Sequence, residues 1–360
     1  IQGVLNENLI DLKTKITNVS ELDLLCQTPA SALGSCRVKL KDPAVCADEY
    51  ETIISVLRKY NIDCFIYIGG NDSMDTVDKL SKYLNTKGIT DITVVGAPKT
   101  IDNDLCETDH TPGFGSAAKY IASSLLEIAH DTFIYAVKSV TIVEIMGRDA
   151  GWLTAASALA RNGYNTAPHL IYLPEVPFDK EDFLLDVKRM LFERNNVIVA
   201  VSEGIRDASG NYISASESSV DTFGHSQLSG AGKTLEFLVK EKLGVKVRSV
   251  EVNVLQRCAA HLASKTDLDE AFTLGQKAVA LSEEGVTASM VTIRRISDSP
   301  YEIAYEHAEI RHIANEAKSI PREWINDAGN DVTQPLIDYL SPLILGEVPV
   351  KYESGIPVYM

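Results

Sequence analysis

Residues 64–84 read CFIYIGGNDSMDTVDKLSKYL and join an apolar run to an amphipathic segment. The β-branched and aromatic run Cys64–Ile68 predicts a buried strand, and Ser73–Leu84 predicts a helix. One face of that helix carries Met74, Val77, Leu80 and Leu84. Because another apolar run follows at Thr93–Val95, this part of the chain predicts a strand–helix–strand unit with parallel strands.

The same alternation continues along the chain. Further strands are predicted at Val140–Ile145, Val197–Val201, Lys246–Val254 and Met290–Ile293, and further helices at Gly151–Arg161 and Asp267–Glu284. We therefore predict an α/β fold with parallel sheets. Polar, glycine-rich segments follow several strands, at residues 69–73, 97–104, 146–151 and 203–210. Ligands bind at the carboxyl ends of strands in open α/β sheets, so these segments are candidate binding loops.

The composition is that of a globular protein with an acidic surface. The 360 residues include 50 Asp and Glu against 34 Lys and Arg, a net charge of −16 at pH 7. Such a surface repels nucleic acids and anionic membranes, so neither is expected as a partner. Six scattered cysteines without a CxxC pair predict reduced thiols and a cytoplasmic location. A phosphate ligand would need a local cluster of cations.

Three of the candidate loops suit the chemistry of phosphate groups. Gly69–Ser73 places two glycines before a helix N-terminus, where the backbone can approach a phosphate; an ordinary strand-to-helix turn has the same features. Pro98–Asp104 combines a lysine with two carboxylates, and phosphoryl transfer to a hydroxyl needs a carboxylate base and cations. Its alternative is a polar loop with a turn at Asn103. Met146–Trp152 contains Arg148, which suits either a bidentate phosphate contact or a helix-start salt bridge.

Three smaller motifs complete the set. Glu203–Gly204 and Gln256–Arg257 follow two further predicted strands. Gly230–Thr234 reads GAGKT and ends like a nucleotide-binding P-loop, but Gln227 stands where that motif requires its first glycine. We therefore interpret Gly230–Thr234 as a turn at the start of a helix.

The motifs GGNDS, PKTIDND, MGRDAGWL, EG and QR, in this order and spacing, resemble those of the phosphofructokinase family. The resemblance extends from about Gly3 to Glu347. Nucleotide-dependent members usually read GGDGS and PGTIDND at the first two motifs, whereas pyrophosphate-dependent members read GGDDS and PKTIDND. Because Asp72 and Lys99 are of the pyrophosphate type, the resemblance implies pyrophosphate rather than ATP as the phosphoryl donor.

The resemblance also implies roles in the second loop. Asp102 is similar to the base that takes the proton from the 1-hydroxyl of fructose 6-phosphate. Its neighbours Thr100, Ile101 and Asp104 would contact the sugar. Lys99 would hold the transferred phosphoryl group.

On the donor side, Asp72 would block the α-phosphate of a nucleotide. A carboxylate about 4 Å from a phosphate charge in a partly screened site repels it by roughly 4 kcal/mol, on the order of a thousandfold in affinity. Gly70, Asn71 and Arg37 would complete the donor site. The family's usual Asp, which helps hold Mg²⁺, is replaced here by Asn71. A metal contact at Asn71 would use the amide oxygen, and the pyrophosphate would carry its own Mg²⁺.

On the sugar side, the family's contacts correspond to Met146, Gly147, Arg148, Glu203 and Arg257. By this resemblance Glu203 would contact the sugar hydroxyls and Arg257 would clamp the 6-phosphate. Pyrophosphate-dependent members commonly carry tyrosine at the substrate-binding position occupied here by Val254. One contact to the sugar is therefore expected to be lost.

The implied architecture has two Rossmann-like lobes with largely parallel sheets and the active site in the cleft between them. Residues 1–113 with about 265–315 would form the donor-phosphate lobe, residues 114–264 with 316–347 the sugar-phosphate lobe, and residues 348–360 a C-terminal tail. Family members begin with a strand and a glycine-rich phosphate loop that would precede Ile1, so we expect leading residues to be missing. The family's usual assembly is a homodimer or homotetramer.

The sequence leaves three alternatives open. An ATP-dependent phosphofructokinase would carry glycine at positions 72 and 99. A non-catalytic regulatory subunit would explain Asn71, Val254 and the missing start. A kinase of another family acting on lipid or NAD would explain only the first motif. Our prediction is reversible phosphoryl transfer between pyrophosphate and fructose 6-phosphate, serving glycolysis and gluconeogenesis.

Overall fold

The computed structural model describes residues 1–36, 38–213 and 230–360. In these ranges the strands are β1 Cys64–Gly69, β2 Thr93–Pro98, β3 Ser139–Ile145, β4 Leu170–Tyr172, β5 Asn196–Ser202, β6 Lys246–Glu251, β7 Ser289–Asp298, β8 Tyr301–Glu309, β9 Tyr352–Glu353 and β10 Ile356–Pro357. The α-helices are α1 Gln2–Leu5, α2 Leu12–Lys15, α3 Val19–Gln27, α4 Ala47–Lys59, α5 Asn71–Thr86, α6 Phe114–Phe133, α7 Trp152–Ala156, α8 Lys180–Glu193, α9 Ala231–Leu243, α10 Lys265–Glu283 and α11 Gln334–Leu340. Short 3₁₀ helices lie at Ser157–Ala160, Asn253–Arg257, Ala260–Leu262, Ile310–His312, Arg322–Trp324 and Ser341–Ile344.

Strands β1, β2, β7 and β8 form one sheet in that order. The first three are parallel, and β8 runs antiparallel to β7. Helix α5 packs on this sheet through the apolar face that the sequence predicted. The residues of that face, Met74, Val77, Leu80 and Leu84, are all buried and share one core with Ile53 and Leu57 of α4.

Strands β4, β5, β3 and β6 form a second sheet, in which all neighbours are parallel. Every residue of β3 and β5 is buried, because helices cover both faces. Val143 and Ile145 pack in a core with α6, whereas Val140 and Ile142 pack with α8 and α9. Alternate residues of a strand point to opposite faces, so a strand covered on both sides requires the continuous apolar run seen in the sequence.

Helix α10 connects the two halves of the molecule. It packs against β1, β2 and β7 of the first sheet and against α6, which covers the second. The buried carboxylate of Asp267 in α10 accepts the N–H of Gly113 at 2.8 Å and that of Ser116 at 3.0 Å. Asp267 therefore satisfies amides that would otherwise be unpaired at the start of α6.

The predicted α/β fold with largely parallel sheets is confirmed. The strand predicted at Lys246–Val254 is wrong at its end and stops at Glu251. Asn253 adopts a left-handed conformation with φ of 46° and opens a 3₁₀ helix there. The helix predicted at Gly151–Arg161 is α-helical only to Ala156 and continues as a 3₁₀ helix.

The turn predicted at Gly230–Thr234 does start a helix, since α9 begins at Ala231 after Gly230 with φ of 85°. Within the described ranges no helix is long and apolar enough to cross a membrane. The predicted boundaries of the two lobes stay a prediction.

Candidate active site

Four candidate loops begin at the carboxyl ends of parallel strands. β1 ends at Gly69 and its neighbour β2 at Pro98. β3 ends at Ile145 and its neighbour β5 at Ser202. In order along the chain, we call the segments that follow these four strands the first, second, third and fourth loops. Each sheet therefore presents two adjacent loops at one edge.

The first two loops touch each other. The N–H of Lys99 donates to the carbonyl of Gly69 at 2.9 Å. A methyl group added at Gly70 would lie 3.6 Å from the Cβ of Thr100, which is van der Waals contact. The predicted donor loop and the predicted base loop are therefore in direct contact.

Asn71 uses both polar atoms of its side-chain amide within the protein. Its Oδ1 accepts the N–H of Asn315 at 2.7 Å, and its Nδ2 donates to the carbonyl of Glu316 at 2.5 Å. In the part of the chain that the structure describes, no group of three Asp, Glu, His or Cys side chains could hold a metal ion. Among these described residues, a metal ion would therefore need oxygens of a bound phosphate in addition to protein ligands. The metal contact predicted at Asn71 stays a prediction.

Asp72 lies in the first turn of α5, where its Oδ1 is 3.5 Å from the Nζ of Lys39. Both side chains are well exposed, with 36% and 43% of their surfaces accessible. Lys39 was not predicted from the sequence. It follows by two positions the predicted donor arginine, Arg37, which lies outside the described residues. The only sequence signal for Lys39 was that proximity.

The second loop is held by its own hydrogen bonds. The N–H of Asp102 donates to the Oγ1 of Thr100 at 3.1 Å, and the hydroxyl of Thr111 donates to the Thr100 carbonyl at 2.7 Å. Asn103 is fully buried with φ of 54°, and its Nδ2 donates to the hydroxyl of Tyr339 at 3.3 Å. Asn103 anchors the loop, while Asp102 beside it stays partly accessible.

Three cations from separate segments act on Asp102. Burial raises the pKa of the Asp102 carboxyl. The opposing influences are the positive charges of Arg148, Lys99 and Arg257, and the carboxylate of Asp149 adds to the rise. Asp102 and these three predicted cations are therefore close enough in the folded chain to share one electrostatic environment, and the fourth predicted cation, Arg37, lies outside the described residues.

Two more carboxylates in this environment have raised pKa values. Burial, together with the charge of Asp102, raises the pKa of Asp104 to about 6. Burial raises the pKa of Glu203 to about 7, although the N–H of Gly147 donates to its Oε1 at 3.4 Å and works against the rise. Strongly perturbed carboxylates cluster at functional sites, which supports this region as the active site.

The third and fourth loops pack backbone to backbone. Gly147 has φ of 140°, and a methyl group there would lie 2.6 Å from the carbonyl oxygen of Ala150. A methyl group at Gly204 would lie 1.9 Å from the carbonyl oxygen of Arg148. Only glycine fits at Gly204. The Nε of Arg148 is buried and has no hydrogen-bond partner among the described residues, so this guanidinium retains donor capacity for a ligand.

The segment after β6 reaches the third loop. The buried Gln256 accepts the N–H of Met146 through Oε1 at 3.2 Å. Arg257 and Val254 are exposed. The predicted residues Met146 and Arg257 therefore lie in one connected region. Val254, in the same segment, has an aliphatic side chain without the hydroxyl of the family's usual tyrosine, so the expected loss of one sugar contact stays a prediction.

Comparison with known proteins identifies relatives over the whole chain. A family model described as Phosphofructokinase matches residues 1–282. The pyrophosphate–fructose 6-phosphate 1-phosphotransferase of Halomonas elongata is 42% identical, with 99% of this chain and 85% of the relative covered. The protein of that name from Xanthomonas campestris is 43% identical, with 100% and 86% covered. A sulfofructose kinase from Alkalicoccus urumqiensis is 31% identical, with 86% and 79% covered.

Solved structures agree with these relatives. The pyrophosphate-dependent phosphofructokinase from Nitrosospira multiformis superposes with a TM-score of 0.89 at 38% identity, with 100% of this chain and 85% of that chain covered. The one from Marinobacter aquaeolei gives a TM-score of 0.87 at 38% identity, with 100% and 84% covered.

The family model and these relatives identify the chain as a phosphotransferase. This chain belongs to the phosphofructokinase family. The family and the enzyme class predicted from the motifs are confirmed. Phosphotransferases of this family generally need a divalent metal.

Proposed function

We propose that this chain transfers a phosphoryl group from pyrophosphate to the 1-hydroxyl of fructose 6-phosphate, giving fructose 1,6-bisphosphate and phosphate. Four relatives that are 40–43% identical over 98–100% of this chain carry the name of that activity. The observation within the chain that carries the proposal is Asp102, a partly buried carboxylate under the influence of three cations from separate segments.

In the reaction, Asp102 accepts the proton of the 1-hydroxyl while that oxygen attacks the terminal phosphorus of pyrophosphate. A new P–O bond forms, the bond from that phosphorus to the bridging oxygen breaks, and phosphate leaves with the bridging oxygen. A raised pKa makes the Asp102 carboxylate a stronger base than an ordinary aspartate. Cleavage of pyrophosphate supplies less driving force than cleavage of ATP, so the reaction runs in both directions.

The cations position and neutralise the phosphate groups. Lys99 holds the moving phosphoryl group, and Arg148 with Arg257 binds the sugar phosphate. Glu203 contacts the sugar hydroxyls. A loose phosphoryl transition state is served mainly by positioning and charge, so these roles account for most of the protein's contribution.

Donor choice depends on Asp72 and Lys99. The carboxylate of Asp72 repels the α-phosphate of a nucleotide, and pyrophosphate has no group at that position. The Nζ of Lys39 lies 3.5 Å from Oδ1 of Asp72, and Asp72 is exposed to solvent. Both features weaken the repulsion between Asp72 and a phosphate below the roughly 4 kcal/mol expected for an unpaired charge at about 4 Å. The preference for pyrophosphate is therefore a joint property of Asp72 and the cation Lys99.

We assign Mg²⁺ as the divalent ion and expect it to be carried on pyrophosphate oxygens, since Mg²⁺ often binds through substrate phosphates. The lobes divide at the boundaries predicted above, with residues 1–113 and about 265–315 on the donor side. We also propose a cytoplasmic homodimer or homotetramer.

Asp102→Asn tests the proposal directly, because it removes the base and keeps the shape of the side chain. The turnover number is expected to fall by about 10²–10⁴-fold, the usual contribution of general base catalysis. Binding of fructose 6-phosphate, measured by calorimetry, is expected to persist. Asp149→Asn is the matched control, since it also removes a negative charge near Asp102. Near-normal turnover of Asp102→Asn would contradict the assignment of the base.

A further inference from the structure

The segment of residues 315–320, with the sequence NEAKSI, contacts the first of the active-site loops through Asn71. The two hydrogen bonds between the Asn71 amide and the main chain of Asn315 and Glu316 are described above. A third bond runs from the Nδ2 of Asn315 to Oδ1 of Asp75 in α5, at 3.0 Å. The start of α5 is therefore attached to this segment at three points.

The same segment contacts the second loop through Lys318. The N–H of Lys318 donates to the carbonyl of Asp104 at 2.8 Å. Its Nζ donates to the carbonyls of Asp109 at 2.6 Å and Thr108 at 3.1 Å. One lysine therefore binds the main chain on both sides of residues 105–107.

The segment also reaches the third loop. The indole Nε1 of Trp152 donates to the carbonyl of Lys318 at 3.0 Å, and the Nζ of Lys318 lies 5.3 Å from the centre of the Trp152 ring. Glu175 extends the connection, because its Oε1 accepts both the N–H of Ile320 at 3.2 Å and that of Gly151 at 2.8 Å.

We propose that residues 315–320 set the relative position of the first three active-site loops, and that Lys318 is a positioning residue for phosphoryl transfer. Asn71, Asp104 and Trp152 lie on different loops, and this short segment bonds to all three. The inference rests on the proposed function, because it assigns Lys318 to the geometry of that reaction. Lys318 acts through the main chain of the second loop, which carries Asp102.

The ammonium of Lys318 is suited to this role because it provides three donors at one point. Without it, the carbonyl of Thr108 would have no hydrogen-bond partner among the described residues, and that of Asp109 would keep only the hydroxyl of Tyr339. A displacement of about 1 Å in a catalytic group can cost on the order of a hundredfold in rate. A relaxed second loop would therefore impair turnover more than substrate binding.

The environment of Lys318 also makes this role dependent on pH. Burial lowers the pKa of Lys318 to about 8. The charged or titratable groups that face it are the carboxylates of Asp109 and Asp104, the thiol of Cys106 and the guanidinium of Arg295. As the pH rises through about 8, the ammonium loses a donor and its charge. The turnover number of the native protein should then fall along an alkaline limb centred near that value.

Lys318→Met tests the inference, with Lys119→Met as a matched control. Lys119 is buried, and its Nζ donates to the carbonyls of Gly346 at 2.7 Å and Ala263 at 3.3 Å and to Oε1 of Glu347 at 3.0 Å. These contacts lie outside the four loops. Lys318→Met should lower the turnover number by about 10- to 100-fold. The KM values should change little, and the alkaline limb should disappear. Lys119→Met should affect only the unfolding midpoint.

Hydrogen exchange provides a readout that does not depend on activity. Amides of residues 99–109 should exchange faster in Lys318→Met than in Lys119→Met. Asn71→Ala, which cuts the segment at its other end and leaves Lys318 in place, should speed exchange in residues 71–75 and retain the alkaline limb. This second variant keeps the test decisive if Lys318→Met does not fold.

Equal turnover and equal exchange in Lys318→Met and Lys119→Met would overturn the inference, as would an alkaline limb that survives in Lys318→Met. Native protein that turns over neither pyrophosphate nor ATP would instead contradict the proposed function. The exchange measurement would then decide the positioning role of residues 315–320 by itself.

Discussion

At the residue scale, the candidate site contains several buried carboxyl groups whose charged forms destabilise the free protein. Burial raises the pKa of Asp102, Asp104 and Glu203, and the charge of Asp102 contributes to the rise at the other two. Arg148 opposes the rise at Asp102 and Glu203. Such groups reduce the stability of the free protein, and clusters of them are typical of functional sites.

Glu203→Gln is expected to stabilise the free protein in alkaline solution. The pKa of Glu203 is about 7 in the folded chain against an ordinary value of 4.5. Below pH 4.5 Glu203 is protonated in both the folded and the unfolded chain, so its burial does not lower the free energy of unfolding. Between pH 4.5 and 7 only the unfolded chain loses this proton, and the folded chain is progressively destabilised relative to it. Above pH 7 this destabilisation reaches at most about 3 kcal/mol.

Urea unfolding at pH 8.5 and pH 5 checks this expectation. Glu203→Gln should raise the free energy of unfolding at pH 8.5 and have a much smaller effect at pH 5, while weakening the binding of fructose 6-phosphate. Glu241→Gln is the control, because Glu241 is an exposed carboxylate in α9 with 72% of its side-chain surface accessible. An equal increase in the free energy of unfolding of Glu203→Gln at pH 8.5 and at pH 5 would refute the assigned burial of Glu203.

At the element scale, regular periodicity was predictable and its interruptions were not. The buried face of α5 could be predicted because apolar residues recur about every 3.6 residues along an amphipathic helix. The strands β3 and β5 could be predicted because a strand that is buried on both faces is apolar along its whole length. Only Met290–Ile293 of β7 was predicted, because the first half of that strand is buried and mostly apolar, whereas its second half alternates between exposed and partly buried residues. The early end of β6 depends on the left-handed Asn253, which propensity does not reveal.

Gly204→Ala tests the packing of the third loop against the fourth. Because the added methyl group would lie 1.9 Å from a main-chain oxygen, the backbone at Arg148 must move. We expect a loss of stability of about 1–3 kcal/mol, as for other overpacked sites, and weaker binding of fructose 6-phosphate. Denaturant unfolding and calorimetric titration measure the two effects.

Gly275→Ala is the matched control in α10. A methyl group there meets nothing within 4 Å, and a helical glycine replaced by alanine gains about 0.5–1 kcal/mol of stability. Native-like stability and sugar-phosphate affinity in Gly204→Ala would show that the two loops are farther apart than described.

At the scale of the whole molecule, an acidic protein with net charge −16 brings Lys99, Arg148 and Arg257 to one carboxylate. Motif order in the sequence predicted which residues would converge. Lys318 could not be predicted, because it belongs to no motif and no periodic face. Its bonds to Thr108 and Asp109 join residues more than 200 positions apart, and such contacts appear only when the chain is folded.

The most direct test is the rate of fructose 1,6-bisphosphate formation with Mg²⁺, fructose 6-phosphate and either pyrophosphate or ATP. The native protein should use pyrophosphate and use ATP poorly, and Asp72→Gly combined with Lys99→Gly should shift the preference toward ATP. A native protein that prefers ATP would contradict the donor assignment to Asp72 and Lys99. A folded native protein that uses neither donor would contradict the phosphotransferase itself and favour a non-catalytic subunit.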